Sequence, residues 1–253
     1  MTMNPKIIYS DCIEYMKSME PKSIDFILTD PPYGMIAPDW DQIIDFEQLW
    51  HEYNRIIKDQ GTIALFASQP FTSKLILSNE HNFKYCWYWI KNQGTNFYHA
   101  KSMPIRKIEE ICIFKNGRYF PQMSHNHKPT NSAIGSYPGK TYYGLNKRNY
   151  KGGVTTRYPT NILEFKCVDN YSRMHPTQKP VELFEYLIKT YTKENDIVLD
   201  NCSGSGTTGI ACINTNRNYI LIEKDETYYN LAKQRIENHK NNLNLNKQIN
   251  FNI

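Results

Sequence analysis

No stretch of this 253-residue chain approaches the ~18 consecutive apolar residues of a membrane-spanning helix, so nothing in it is expected to cross a bilayer. No Cys-x-x-Cys pair occurs among Cys12, Cys86, Cys112, Cys167, Cys202 and Cys212. That argues against a zinc site or a disulfide frame and for reduced, mostly buried thiols. His125 and His127 stand two apart with no cysteine beside them, and no metal is expected. The opening Met1-Thr2-Met3-Asn4-Pro5-Lys6 lacks the features of a signal peptide, and the cytoplasm is the expected compartment. Acidic residues are scarce between positions 96 and 173, where Glu109, Glu110, Glu164 and Asp169 face thirteen Lys and Arg. The local excess is larger than the net charge of +5 carried by the whole chain. A region so charged suits a polyanionic partner.

What is present is an ordinary apolar share of 40%, enough in a chain of this length for a full core and one domain or slightly more. Aromatic residues are plentiful, with 19 Tyr, 11 Phe and 4 Trp. The first half alternates short apolar runs with amphipathic stretches. Residues 6–9, 25–28 and 62–66 read as strands, as do 85–91 and 108–114. Apolar residues at helical spacing run from Phe46 to Ile57, with Asp59-Gln60-Gly61 as the expected stop, and a shorter helix is expected over 70–78. Strand–helix alternation predicts an α/β fold with helices on both faces of a mostly parallel sheet.

From about Asn96 to Arg173 the pattern dissolves into Gly, Pro, Asn and Tyr, apart from the core strand near 108–114. Arg106, Lys128, Lys140, Lys147, Arg148, Lys151 and Arg157 are candidates for neutralising phosphates, with interleaved tyrosines as stacking faces; a flexible solvated loop is the plainer reading. Regular structure returns with a helix over 181–191, strands over 197–199 and 219–222, and a last helix capped by Asp225 and ending near Glu237. The remaining Asn- and Lys-rich tail is expected to fray.

Two constellations carry chemistry. The first is Thr29-Asp30-Pro31-Pro32-Tyr33-Gly34, directly after the strand 25–28. Both residues that precede a proline are forced into extended geometry, and the prolines carry no N–H. The result is a stiff corner rich in acceptors, followed by a flat ring. Such a corner suits a planar group bearing an N–H₂, although a packed turn with a capping Asp reads equally well. The second runs Asp200-Asn201-Cys202-Ser203-Gly204-Ser205-Gly206-Thr207-Thr208, between a strand and a helix, with Glu223 closing the next strand. Glycines let the backbone turn sharply, and a helix N-terminus presents free N–H groups. An acid nineteen residues after Gly204 lies near the spacing that meets ribose hydroxyls. The third glycine of the dinucleotide fingerprint is missing, which favours a nucleoside with a small anionic tail over a pyrophosphate. Asp11, at another strand end, suits an adenine amine or a plain helix cap.

Taken together and in this order, the two motifs resemble those of the amino-group DNA methyltransferases that use S-adenosylmethionine. Proline motif first, basic insert next and glycine motif last is the order of their circularly permuted β class. His175-Pro176-Thr177-Gln178-Lys179-Pro180 resembles the block upstream of the family's cofactor strand, and Ser10-Asp11-Cys12 its first strand end. The resemblance implies a Rossmann-like methyltransferase fold, with a catalytic half at 1–95, a target-recognition insert at 96–173, a cofactor half at 174–240 and a tail at 241–253. It implies catalysis by Asp30, Pro31, Pro32 and Tyr33, with Asp30 and the Pro31 carbonyl on the target amine and Tyr33 stacked on the base. It gives Asp11, Cys12, Thr177, Lys179, Asp200, Cys202, Ser203, Gly204, Ser205, Gly206, Thr207, Thr208 and Glu223 to S-adenosylmethionine. Adenine N6 is the expected target because the motif opens with Asp, while cytosine-N4 enzymes more often carry Ser there. A non-catalytic nucleic-acid-binding subunit of the same fold is the rival. Double-stranded DNA is the expected partner, and self-association and a cognate restriction endonuclease accompany the resemblance. Asn201 and Cys202 replace the Pro and Phe usual in the family, which removes a ring from the cofactor end.

Overall fold

The structure is a computed structural model. It describes residues 5–35, 41–115, 117–131, 133–136, 147–150, 152–169, 171 and 173–251, and the side chains of these except in 133–136, 147–150 and 246–251. The elements run β1 (Lys6–Tyr9), α1 (Cys12–Lys17), β2 (Ile24–Thr29), α2 (Phe46–Ile56), β3 (Ile57–Ala67), α3 (Phe71–Leu77), β4 (Phe83–Thr95), β5 (Arg106–Phe114), β6 (Ala133–Ser136), β7 (Lys147–Tyr150), β8 (Ile162–Phe165), α4 (Val181–Tyr191), β9 (Ile197–Asp200), α5 (Thr207–Asn214), β10 (Asn218–Glu223) and α6 (Glu226–Phe251).

Eight strands form one sheet in the order β1-β10-β9-β2-β3-β5-β4-β8. Only the pairings of β5, with β3 and with β4, are antiparallel. Alternation along each strand divides the core between two faces. On β2, Ile27 joins Met16, Leu49, Tyr53 and Phe71 from α1–α3. Its neighbours Phe26 and Leu28 point the other way, to Leu187, Ile210 and Ile236 from α4–α6. Because β2 is buried on both faces, its centre Phe26-Ile27-Leu28 is apolar without alternation, flanked by the buried polar Asp25 and Thr29. Strand β9 sits beside β2, yet the helices that follow them pack on opposite faces. The chain therefore leaves the two strand ends in opposite directions, and a crevice opens between them.

Several expectations are corrected. Helix α2 ends at Ile56 without the Asp59-Gln60-Gly61 stop, because β-branched Ile57 is already extended and pairs with Ile24. Strand β8, inside the segment read as irregular, pairs with β4 at the sheet edge; its four residues are too few for periodicity to declare. The final helix does not stop near Glu237 but runs to Phe251, with no Gly or Pro beyond Glu237 to break it.

The chain divides into two compact units, Met1–Phe120 with Asn161–Ile253, and Pro121–Thr160. The second unit contains the antiparallel pair β6–β7 and a run of antiparallel contacts in which Ser124 and Arg157 exchange backbone hydrogen bonds. Among the described residues no helix is long and apolar enough to cross a membrane, and no cluster of three His, Cys, Asp or Glu could hold a metal ion.

Candidate active site

The ends of β1, β2, β9 and β10 converge on a cavity of about 700 Å³. Asp11, Asp30, Pro31, Tyr33, Lys179 and Gly204 all line it, so the proline corner and the glycine turn, remote in sequence, share one cleft. Cys12, Pro32, Thr177, Asp200, Cys202, Ser203, Ser205, Thr207 and Glu223 line it as well. Gly206 and Thr208 stand behind this wall, at the start of α5.

At the proline corner, Asp30 Oδ1 accepts from the Tyr33 hydroxyl at 2.6 Å, and Oδ2 accepts from the Lys179 ammonium. The Tyr33 ring stacks on Phe71 with centroids 5.0 Å apart. Asp41 closes the turn: its carboxylate accepts from the backbone N–H groups of Tyr33, Gly34 and Met35 at 2.7, 3.0 and 2.6 Å. Among the described residues no donor reaches the Pro31 carbonyl. Lys179 also lies 3.4 Å from Glu109 Oε2, and Lys91 holds Glu109 Oε1 at 2.8 Å. Lys91, Glu109, Lys179 and Asp30 thus form a chain of alternating charge in which the lysines are buried and the two acids half-buried. Burial pushes the Asp30 carboxyl up, against the pull of Lys179. Burial also opposes ionisation of Glu109, but Lys179 and Lys91 outweigh it and hold its pKa below the ordinary value. Burial disfavours the Lys179 ammonium, and Asp30 and Glu109 more than compensate.

At the other end, Gly204 and Gly206 adopt φ of +48° and +75°. Glu223 Oε2 accepts from the Gly204 N–H at 2.7 Å. Arg235 of α6 donates to the Ser205 carbonyl and to the Thr207 hydroxyl. The Asp200 carboxylate accepts from Thr29 at 2.9 Å, from the Cys202 N–H at 3.2 Å and from the Thr208 hydroxyl, and burial raises its pKa to about 6. Asn201, where the sequence departs from the family pattern, accepts from the hydroxyls of Tyr53 at 2.5 Å and Thr29 at 2.9 Å. It pins β9 to β2 and α2. Asp11 caps α1 through Ile13 and Glu14 while it lines the cavity, so its two readings are compatible. Ser203 Oγ is buried with no hydrogen-bond partner and lines the cavity, which suits a polar ligand there. Carboxylates, an unpaired hydroxyl and two left-handed glycines fit a nucleoside with an amino-acid tail.

A family model described as DNA methylase, of the N6/N4 type, matches residues 24–234. The chain belongs to that family. The methylase is 30% identical to the type II methyltransferase M.HpaI of Haemophilus parainfluenzae, over 94% of this chain and 76% of that one. It is 28% identical to M2.DpnII of Streptococcus pneumoniae, over 91% and 89%. Among solved structures, the complex of M1.HpyAVI with SAM superposes with a TM-score of 0.59 at 27% identity, covering 91% of the methylase and 98% of that chain. The cytosine-N4-specific PvuII methyltransferase superposes at 0.64 with 16% identity, over 95% and 92%, a likeness of fold alone.

The basic candidates are placed unevenly. Lys140 and Lys151 lie outside the described residues, as do the side chains of Lys147 and Arg148. Lys128 is exposed. Arg157 is turned onto its own unit, donating to the carbonyls of Lys128, Val154 and Thr156. Arg106, at the start of β5, donates to Ser68 at 2.8 Å. Asp41, Lys91, Glu109 and Arg235 escaped the sequence reading. Glu109 alone left a trace, as one of the few acids in a basic segment.

Proposed function

We propose that this DNA methylase transfers a methyl group from S-adenosylmethionine to the N6 amine of adenine in double-stranded DNA, at a base turned out of the helix. The observation that carries the reading is Asp30 beside a Pro31 carbonyl that no donor among the described residues reaches, on the cavity that also contains the glycine turn. Bound S-adenosylmethionine supplies a sulfonium methyl group. The glycine turn, Asp200, Glu223 and Asp11 would hold the donor, and the proline corner would hold the acceptor.

An adenine amine is a weak nucleophile because its lone pair is delocalised into the ring. Two acceptors, Asp30 and the Pro31 carbonyl, would each take one N–H and favour a pyramidal nitrogen whose lone pair faces the donor. This is positioning plus fixed electrostatics, with no covalent enzyme intermediate. The nitrogen gains a methyl and must lose a proton. Asp30, on the cavity wall, would take that proton, and burial has already raised its proton affinity. Turning out the base costs a few kcal/mol, of which stacking on Tyr33 could return ~1–3 kcal/mol. The insert 96–173, with its excess of cations, would follow the phosphates and carry target recognition.

The test is transfer of tritiated methyl to unmethylated bacterial DNA, followed by nucleoside analysis. N6-methyladenine is the expected product. N4-methylcytosine would overturn the choice of base and leave the site standing, and no transfer would favour a binding subunit.

A further inference from the structure

The proposed role of Asp30 meets a difficulty: both of its oxygens are already engaged, one by Tyr33 and one by Lys179. A target amine must displace or share with one of them. Tyr33 is held in place by its stack on Phe71 and by its own backbone N–H on Asp41. Lys179 is different, because a second acceptor already lies beside it. Glu109 Oε2 is 3.4 Å from the ammonium, buried, and has no hydrogen bond. The other oxygen of the same carboxylate is fixed by Lys91 at 2.8 Å. Lys91 is itself buried, beside Trp89. Glu109 is therefore a braced anion whose second oxygen is already ion-paired, at 3.4 Å, with the cation that blocks Asp30.

We propose that Glu109 is a positioning residue of the methyl-transfer site: it receives the Lys179 ammonium when the target amine arrives, and so frees one oxygen of Asp30 for that amine. The inference rests on the reading of Asp30 given above. An ammonium this deeply buried cannot be released to water cheaply, and without a second anion it would stay on Asp30. With Glu109 already 3.4 Å away, the exchange needs a shift of only about 1 Å between two carboxylates, and no charge is left unpaired. Among the described residues Glu109 Oε2 is the one buried carboxylate oxygen that makes an ion pair but no well-formed hydrogen bond, and the handover completes it. The groups facing Asp30 are Tyr33 on its own loop, Lys179 before α4, Glu109 on β5 and, more distantly, Asp200 on β9. Glu109 raises the proton affinity of Asp30, and Lys179 lowers it.

The test uses the full chain, with single-turnover methyl transfer to unmethylated duplex DNA followed against pH and binding of S-adenosylhomocysteine followed by calorimetry. Glu109→Gln keeps the shape and removes the charge. Product binding should stay within about twofold while the transfer rate falls about tenfold or more. The acid limb of the rate profile should move to lower pH, because a negative neighbour of Asp30 is gone. Lys179→Met removes the blocking cation and should move that limb to higher pH. In the double variant the Gln substitution should then add no further loss. An unchanged rate and profile in Glu109→Gln, or losses that simply multiply in the double variant, would overturn the handover. If Glu109→Gln does not fold, Glu109→Asp should keep the acid limb in place and still slow transfer; full speed in that variant would count equally against the idea. Asp30→Ala separates the two levels. Normal methylation by it sinks the assignment of the proline corner, whereas an inactive Asp30→Ala beside a wild-type-like Glu109→Gln sinks the handover alone.

Discussion

The two ends of the cavity are built from different materials. The glycine turn is a backbone device: its N–H groups and left-handed residues come from one short segment, steadied by Glu223 and Arg235. The proline corner is local only in its skeleton. Its charges arrive from Asp41, Lys91, Glu109 and Lys179, spread over more than a hundred residues of chain. A cofactor can be held by shape and peptide groups. A reacting nitrogen needs an anion kept ionised in a dry place, and that takes counter-charges from elsewhere.

The contrast can be broken from either side. The largest effect is expected from Asp30→Ala, which should lower the transfer rate by about 10²–10⁴-fold while S-adenosylhomocysteine binding survives, as calorimetry would record. Next is Asp41→Ala, which strips the acceptor from three backbone N–H groups. It should lower both the melting temperature and the transfer rate, by about 1–3 kcal/mol for the half-buried Tyr33 donor, since Gly34 and Met35 are exposed to water. A variant that melts like wild type would show that water replaces the clasp. On the other side, Glu223→Gln should weaken cofactor binding about tenfold, roughly 1.4 kcal/mol, and leave the rate at saturation unchanged. A fall in that saturated rate would blur the division between the ends.

The smallest effects concern stability against pH. Burial lowers the pKa of His175 from 6.5 to about 4, so its contribution is complete above the unfolded value and is lost as pH falls toward 4. Asp200 behaves in the opposite sense: with its pKa raised to about 6, its contribution is complete below the unfolded value of 3.8 and is lost as pH rises through 6. Each is worth ~3 kcal/mol, and between about pH 4 and 6 they oppose one another. Urea unfolding should therefore show a steeper loss of stability toward neutrality in His175→Gln and a steeper loss toward acid in Asp200→Asn. Parallel profiles for both variants would contradict the assignment.

This division also explains what the sequence disclosed. Strand β2, helix α4, the proline corner and the glycine turn are readable because each states its geometry within a few residues: an apolar run, a helical period, a pair of prolines, a pair of glycines. Asp41 and Lys91 are unreadable because nothing near them in the chain marks a partner, and only the folded sheet brings them to the corner. Asn201 looks like a loss against the family pattern until Tyr53 and Thr29 are seen to bond it. The full length of α6 was missed because Asn is a weak former, and composition gave no sign that the helix would continue.

The reversed direction of β5 has one more consequence. Its early residues, rather than its late ones, meet the ends of the parallel strands, with Glu110 opposite Ala67 and Glu109 opposite Trp89. The loop joining β4 to β5 consequently emerges on the same side of the sheet as the cavity, which Thr95 lines, with Phe97 largely and Tyr98 fully exposed on it. Natural variation could lengthen or rewrite that loop without shifting the register of any strand. The reversal therefore leaves, beside the cavity, a segment whose length the sheet does not constrain.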